Sequence, residues 1–286
     1  MPTAPQNFCA CSSGAAVSAS TNSTPLPERI TSASNPLVKE LKRLGLDNTA
    51  YRKQGRVWLE GDHLCRAALL RGFRPAVSLF SESFWPLAHV NIAQAAIKSI
   101  VVPDALFAQI STLESPAGMG FVIDLPAKQP LNPAAASIIL DRVQDAGNVG
   151  SILRSAAAFG FGQVIALKGT AALWSPKVLR AGMGAHFGLQ LLEDVEPDAL
   201  ASLGVPMVVT SSHEGGVLGQ TMLPMPCAWV MGHEGQGVSE LLMAKAAVKV
   251  RIAQPGGEES LNVAAAAAIC LHFSSMQGKT AADQRL

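Results

Sequence analysis

Between residues 138 and 276, strand-length apolar runs alternate with helix-length runs, and nothing else in the chain constrains its fold as tightly. The pattern predicts strands at Ile138–Leu140, Val164–Leu167, Met207–Val209, Ala228–Met231 and Val248–Ile252. It predicts helices at Asn148–Phe159, Pro176–Met183, Ser239–Ala247 and Leu261–Met276. Such alternation folds as a mostly parallel sheet covered on both faces. Sheets of this kind bind ligands at the carboxyl ends of their strands. Chemistry is therefore expected in the loops after Leu140, Val209, Met231 and Ile252.

A second, smaller α/β unit is predicted upstream. Leu37, Leu41 and Leu44 recur at helical spacing, with Lys39, Lys42 and Arg43 between them. Val57–Leu59, Val77–Phe80, Ile100–Val102 and Gly120–Ile123 read as strands, and Leu64–Leu70 as a helix. Pro126 to Pro133 holds three prolines in eight residues and reads as the linker. The division expected is a disordered tail at 1–27, a small unit at 28–125, a linker at 126–133 and the larger unit at 134–286.

Charge separates the same regions. From Glu28 to Arg74 there are ten Lys or Arg against five Asp or Glu; the remainder has twelve against sixteen. A basic N-terminal third on a mildly acidic body points to a part that meets phosphates. Five cysteines without paired spacing argue against a disulfide framework, and Cys9 and Cys11 have no partners at zinc-site spacing. The run Val263–Leu271, nine residues without a polar one, is too short to span a membrane. The N-terminus lacks the charged start and apolar stretch of a signal peptide. The expectation is a protein of the reducing cytoplasm, with no metal and no membrane partner.

Three loops carry the candidate residues. The first runs from Leu140 through Asp141, Asn148 and Arg154; Asn148 is placed as an N-cap, and Arg154 projects from a helix of small apolar residues that reads as mostly buried. The second is Gly232-His233-Glu234-Gly235-Gln236-Gly237, whose glycines let backbone approach a ligand. It does not open a strand–turn–helix unit as G-x-G-x-x-G, so a nicotinamide-cofactor oxidoreductase is disfavoured. The third is Ile252 through Gly256, Gly257, Ser260, Leu261 and Asn262, with Ser260 as the expected cap of an alanine-rich helix.

Together these loops resemble the three motifs of the SpoU, or TrmH-type, branch of the SPOUT RNA methyltransferases, in order, over residues 134–276. The segment from Glu28 to Arg74, including Ser34 to Lys39 and Val57 to Gly61, is similar to that family's RNA substrate-binding domain. The resemblance implies transfer of a methyl group from S-adenosylmethionine to a ribose 2′-hydroxyl of structured RNA, 23S ribosomal RNA first. A tRNA target and a non-catalytic RNA-binding relative are the alternatives.

The resemblance also implies a trefoil-knotted catalytic domain and a homodimer whose interface completes the site. It places Asn148, Arg154, Glu234, Ser260 and Asn262 around the ribose. Gly232, Ile252 and Leu261 are placed against the cofactor, with Thr210 and Gly237 beside them. The family proposal makes the first-motif arginine the base; because arginine stays protonated in proteins, the reading preferred for Arg154 is phosphate anchor and stabiliser of developing alkoxide. Departures from the family pattern fall at Ala146, His233, Ala253, Gln254 and Ala264.

Overall fold

The computed structural model describes residues 27–211, 214–256 and 260–283, so the expected tail lies outside the described residues apart from Pro27. The first body contains β1 (Glu28–Arg29), α1 (Pro36–Leu46), α2 (Ala50–Gln54), β2 (Arg56–Glu60) and α3 (Asp62–Leu70). It continues with β3 (Val77–Ser81), α4 (Val90–Ala93), β4 (Lys98–Val102), α5 (Asp104–Ile110) and β5 (Met119–Asp124). Its sheet has the order β1-β4-β3-β5-β2, with β1, β4 and β3 parallel and β5 antiparallel to both β3 and β2.

Helix α1 begins where the sequence supplies a cap and a proline. The Asn35 carboxamide oxygen accepts from the Leu37 N–H at 2.9 Å, and Pro36 takes a first-turn position whose missing N–H costs nothing. The buried stripe is Val38, Leu41 and Leu44, with Leu37 half-buried at its edge; Lys39 and Arg43 are left in solvent.

The second body contains β6 (Ser137–Asp141), α6 (Ala146–Phe159), β7 (Gln163–Leu167), α7 (Pro176–Gly182), β8 (Gln190–Val195) and β9 (Met207–Thr210). After these come β10 (Gly216–Val217), β11 (Ala228–Gly232), α8 (Glu240–Lys245), β12 (Val248–Arg251) and α9 (Val263–Asp283). Every neighbouring pair in its sheet, order β10-β12-β9-β11-β6-β7-β8, is parallel. Strands β6, β7 and β11 are buried along their whole length, as a sheet covered on both faces requires. From β6 the chain moves outward through β7 and β8, then returns to build the other side through β9 and β11. The order therefore reverses between β6 and β11, where a crevice forms outside the strand ends.

Helix α9 is held over this point. The Trp229 indole N–H on β11 donates to the Ser274 hydroxyl at 2.9 Å, and Ser274 in turn donates to the Cys270 carbonyl. The indole and the hydroxyl are both buried, so each donor has its partner without water.

Four boundaries differ from the sequence expectation for physical reasons. Helix α6 opens two residues early, capped by Asp145, whose carboxylate accepts from the Asn148 N–H at 2.7 Å; Asn148 is not the cap. Helix α9 opens at Val263, capped by Asn262, whose side-chain oxygen accepts from the N–H groups of Ala264 and Ala265; Ser260 is not its cap. Strand β8 escapes the pattern because it is a half-buried edge carrying Glu193 and Asp194, with an irregularity in its pairing. Strand β10 is only two residues long.

The two bodies touch through named contacts. The Tyr51 hydroxyl and the Leu173 N–H both donate to Glu193, at 2.6 and 2.7 Å, and Arg52 pairs with Asp194 at 2.8 Å. The Arg180 guanidinium donates to the Thr112 hydroxyl at 2.8 Å, and the Phe73 and Phe187 rings meet at 5.1 Å.

Candidate active site

At the reversal point, one line of hydrogen bonds joins the three candidate loops. Glu234, in the loop after β11, accepts from the backbone N–H groups of Gln144 and Asp145 at 3.2 and 3.0 Å. The same carboxylate accepts from the Asn148 side-chain amide at 3.1 Å. The Asn148 carbonyl oxygen accepts from the Asn262 amide at 2.9 Å, and Asn262 caps α9. Each residue is used in the only sense its chemistry allows: a carboxylate that accepts, an amide that donates one way and accepts the other. An aspartate at 148 would place a second carboxylate against Glu234 and remove the donor.

Burial is the largest single influence on the Glu234 carboxyl and pushes its pKa up. The hydrogen bonds from Asn148, Asp145, its own backbone and Gln144 together outweigh it and leave the pKa below the ordinary value. Glu234 is therefore ionised at neutral pH and holds loops rather than delivering a proton.

A second clamp went unnoticed in the sequence. Asp141, the last residue of β6, is buried and pairs in register with Gly232 across the sheet. Its carboxylate accepts from the Ser239 N–H at 2.6 Å and from the Arg142 guanidinium at 2.9 Å, and Arg142 reaches on to Gln236 at 3.1 Å. Arg142 takes a positive φ of 61° to do so. An acidic residue ending an otherwise apolar central strand was the available signal, since buried carboxylates need partners.

The glycine loop is a closed turn. His233 and Gly237 exchange backbone hydrogen bonds of 3.0 and 2.8 Å, and the His233 ring accepts from the N–H groups of Gly235 and Gln236. A Cβ on Gly232 would lie 2.2 Å from backbone atoms of Gly237 and Val238, so the loop can close only over glycine.

Thr210 ends β9 and Ile252 follows β12, on strands adjacent in the sheet. Gly237 lies exposed in the closed turn, and Leu261 is partly exposed just before α9. Ser260 is exposed and makes no hydrogen bond among the described residues.

Arg154 is not where the sequence suggested. It is exposed, on the solvent side of α6, whose buried face is Val149, Ile152, Leu153 and Ala156. The small residues Gly147, Ser151 and Ala158 are exposed beside it; they are small on a face open to solvent, not buried on all sides. Six residues of helix place it about 9 Å along the axis and about 240° around it from Asn148. Within one chain Arg154 therefore stands apart from the Glu234–Asn148–Asn262 line, and it has no ion pair among the described residues. The described residues contain no group of His, Cys, Asp and Glu able to hold a metal, and no helix of them is long and apolar enough to cross a membrane.

Residues 135–272 match the SpoU rRNA Methylase family, and residues 35–120 match the MRM3-like substrate binding domain. An uncharacterised tRNA/rRNA methyltransferase of Synechocystis is 31% identical over 258 residues, covering 87% of this chain and 93% of its own. The 23S rRNA (guanosine(2553)-2′-O)-methyltransferase RlmP of Bacillus subtilis is 29% identical over 249 residues, 86% of this chain and 98% of its own. Among solved structures, an AdoMet-bound rRNA methyltransferase from Sinorhizobium meliloti aligns with a TM-score of 0.75 at 25% identity, over 87% of this chain and 98% of that one.

Proposed function

The chain belongs to the SpoU rRNA methylase family, and from that premise we propose that it transfers a methyl group from S-adenosylmethionine to a ribose 2′-hydroxyl of structured RNA, 23S ribosomal RNA first. The observation that carries this reading is the Glu234–Asn148–Asn262 line, which locks three loops together at the strand ends of a parallel sheet.

The cofactor fits beside these loops. Gln254, two residues beyond Ile252, has a buried side-chain oxygen with no hydrogen-bond partner among the described residues, an acceptor that an N–H of the cofactor would satisfy. Thr210, Gly232 and Ile252 end or follow the adjacent strands β9, β11 and β12, which supports them, with Gly237 and Leu261 from the neighbouring loops, as the proposed cofactor rim. The cofactor supplies an electrophilic methyl group when bound, so the protein's task is to aim an oxygen and manage one proton. Glu234, held as an anion, keeps the first and second loops in register and leaves Asn148 oriented by Asn262. Ser260 and Asn262 sit at the entrance to α9, where Asn262 fixes the loop that carries Leu261. Arg154 anchors a phosphate beside the target ribose and stabilises negative charge on the 2′-oxygen.

Pairing of two chains completes this site. Arg154 faces away from its own chain's loops; α9 exposes Ile269 and Met276, Leu261 is exposed just before it, and α6 exposes the small residues Gly147, Ser151 and Ala158. The Arg154 serving one set of loops then comes from the paired chain. The trefoil knot and a cytoplasmic location are part of the same reading, supported by family membership and by the bacterial ribosomal RNA enzyme among the relatives. Sedimentation of the full chain at twice its 29.8 kDa mass is the expected result; a monomer at working concentration would remove the shared site.

Residues 28–125 are proposed to bind the RNA, with 126–133 as the linker. Lys39 and Arg43 stand exposed without ion pairs among the described residues, whereas Arg29, Arg52, Arg56 and Arg66 are neutralised by carboxylates. Changing Lys39 and Arg43 together to Gln should weaken RNA binding and make its salt dependence shallower by about two phosphates' worth, with cofactor affinity unchanged. The activity itself is tested with a labelled methyl donor and ribosomal RNA digested to nucleosides. Label in a 2′-O-methyl nucleoside is expected, and label on a base would overturn the assignment.

A further inference from the structure

This inference rests on the reading that the chain methylates a ribose of RNA. Between α3 of the first body and the turn after α7 of the second runs an open groove of about 320 Å³, lined by Ala67, Leu70, Arg71, Arg154, Met183 and Gly184. Its floor is a turn in which Met183 and Gly184 both take positive φ, 48° and 86°. A Cβ on Gly184 would lie 2.5 Å from the Ala67 methyl, so α3 is seated directly on that turn. The His63 ring N–H donates to the Met183 carbonyl at 3.3 Å and fastens the seat.

The groove carries two guanidinium groups and no carboxylate among its lining residues. Arg71 comes from the end of α3 and Arg154 from α6, one from each body. Neither guanidinium has a hydrogen bond or ion pair among the described residues, unlike those of Arg52, Arg66 and Arg142. Arg71 is not a loose surface chain: its guanidinium lies against Gly188 of the second body, where a Cβ would meet its Cζ and Nη1 at 3.0 Å. Two uncompensated cations facing one channel repel each other until an anion neutralises both, and a guanidinium pairs with a phosphate through two parallel hydrogen bonds. A nucleic-acid backbone supplies phosphates at the regular spacing that two such groups can share.

We propose that this groove carries the RNA backbone, with Arg71 gripping a phosphodiester neighbouring the one that Arg154 holds. Helix α3 then sets the register in which the target ribose is offered to the loops that this Arg154 serves, those of the paired chain. Arg71 is a positioning residue: it fixes which nucleotide arrives and takes no part in the reacting bonds.

The test uses the full-length chain, its Arg71→Gln and Arg71→Lys variants, and Lys98→Gln as a control in which the lost charge was already paired with Glu28. Single-turnover methylation is followed against RNA concentration, alongside cofactor titration, melting and RNA binding at several salt concentrations. For Arg71→Gln, half-saturation by RNA should move up at least tenfold, while the rate at saturation stays within about twofold. Its salt slope should fall by about one, with cofactor affinity and melting temperature at parental values. Arg71→Lys should recover part of the affinity, since it keeps a point charge without the fork, and Lys98→Gln should match the parent. An unchanged half-saturation and salt slope in Arg71→Gln would overturn the inference while leaving the activity standing. A drop in melting temperature with the parental salt slope would also overturn it, by showing that Arg71 only docks the two bodies. A parental chain that transfers no methyl group to RNA would bring down the functional reading and this inference with it.

Discussion

Replacing Arg154 by lysine is expected to slow methyl transfer by about two orders of magnitude or more, with the fold, the pairing of chains and cofactor affinity preserved. The structure sharpens this expectation by removing its main rival. An arginine serving as a structural ion pair would have a carboxylate to hold, and Arg154 is exposed without one among the described residues. Its replacement on the solvent side of α6 should therefore cost little stability, within about 0.5 kcal/mol, because arginine, lysine and alanine are all good helix formers. What lysine cannot reproduce is the planar fork that grips two phosphate oxygens at once and stays charged beside a developing alkoxide. Arg154→Ala should be at least as slow. The measurement is a single-turnover rate at saturating RNA and cofactor, read beside melting and sedimentation profiles. A lysine variant at near-parental rate would defeat the assignment, and loss of melting temperature or of pairing in both variants would make Arg154 a structural contact.

The parallel sheet was legible because its central strands are buried on both faces and leave continuous apolar runs in the sequence. Strand β8 was not, since an edge strand that bears Glu193 and Asp194 to meet Tyr51 and Arg52 of the other body has the composition of a loop. The site residues were legible as types but not as partners. Asn148 looked like a helix cap, yet a nearer aspartate caps α6 and frees Asn148 to bridge Glu234 and Asn262, residues 86 and 114 positions away. No local pattern encodes a bond across that distance. The orientation of Arg154 was misread because small apolar residues usually signal burial; here they line an exposed face, where closeness to a second surface serves equally well to explain their size.

Gly232→Val is the substitution expected to remove cofactor binding most cleanly, by at least tenfold, on the order of 1.4 kcal/mol. The sequence reading of this loop was that its glycines let backbone approach a ligand; the geometry adds that a side chain at 232 strikes the loop itself. The Cβ position lies 2.2 Å from backbone atoms of Gly237 and Val238, and backbone has no rotamer by which to retreat. The turn closed by the His233–Gly237 hydrogen bonds must then open, which takes Glu234 away from Gln144, Asp145 and Asn148 and leaves a buried strand end without its lid. Valine's two further methyl groups leave fewer ways to relieve the contact than alanine's one, so Gly232→Ala should fall between parent and valine. Gly235→Ala supplies the contrast within the same turn: its Cβ would meet only the His233 ring at 3.7 Å, an ordinary contact, and cofactor affinity should stay within about twofold of the parent. RNA binding should survive in all three variants, because the unpaired cations of the first body lie on other elements. Titration calorimetry with S-adenosylmethionine, paired with RNA binding on the same preparations, reads both quantities. Parental cofactor affinity in Gly232→Val would mean that the pocket lies elsewhere on the sheet edge. Loss of cofactor and RNA binding together, with a lowered melting temperature, would mean that the glycine supports the whole fold rather than the loop.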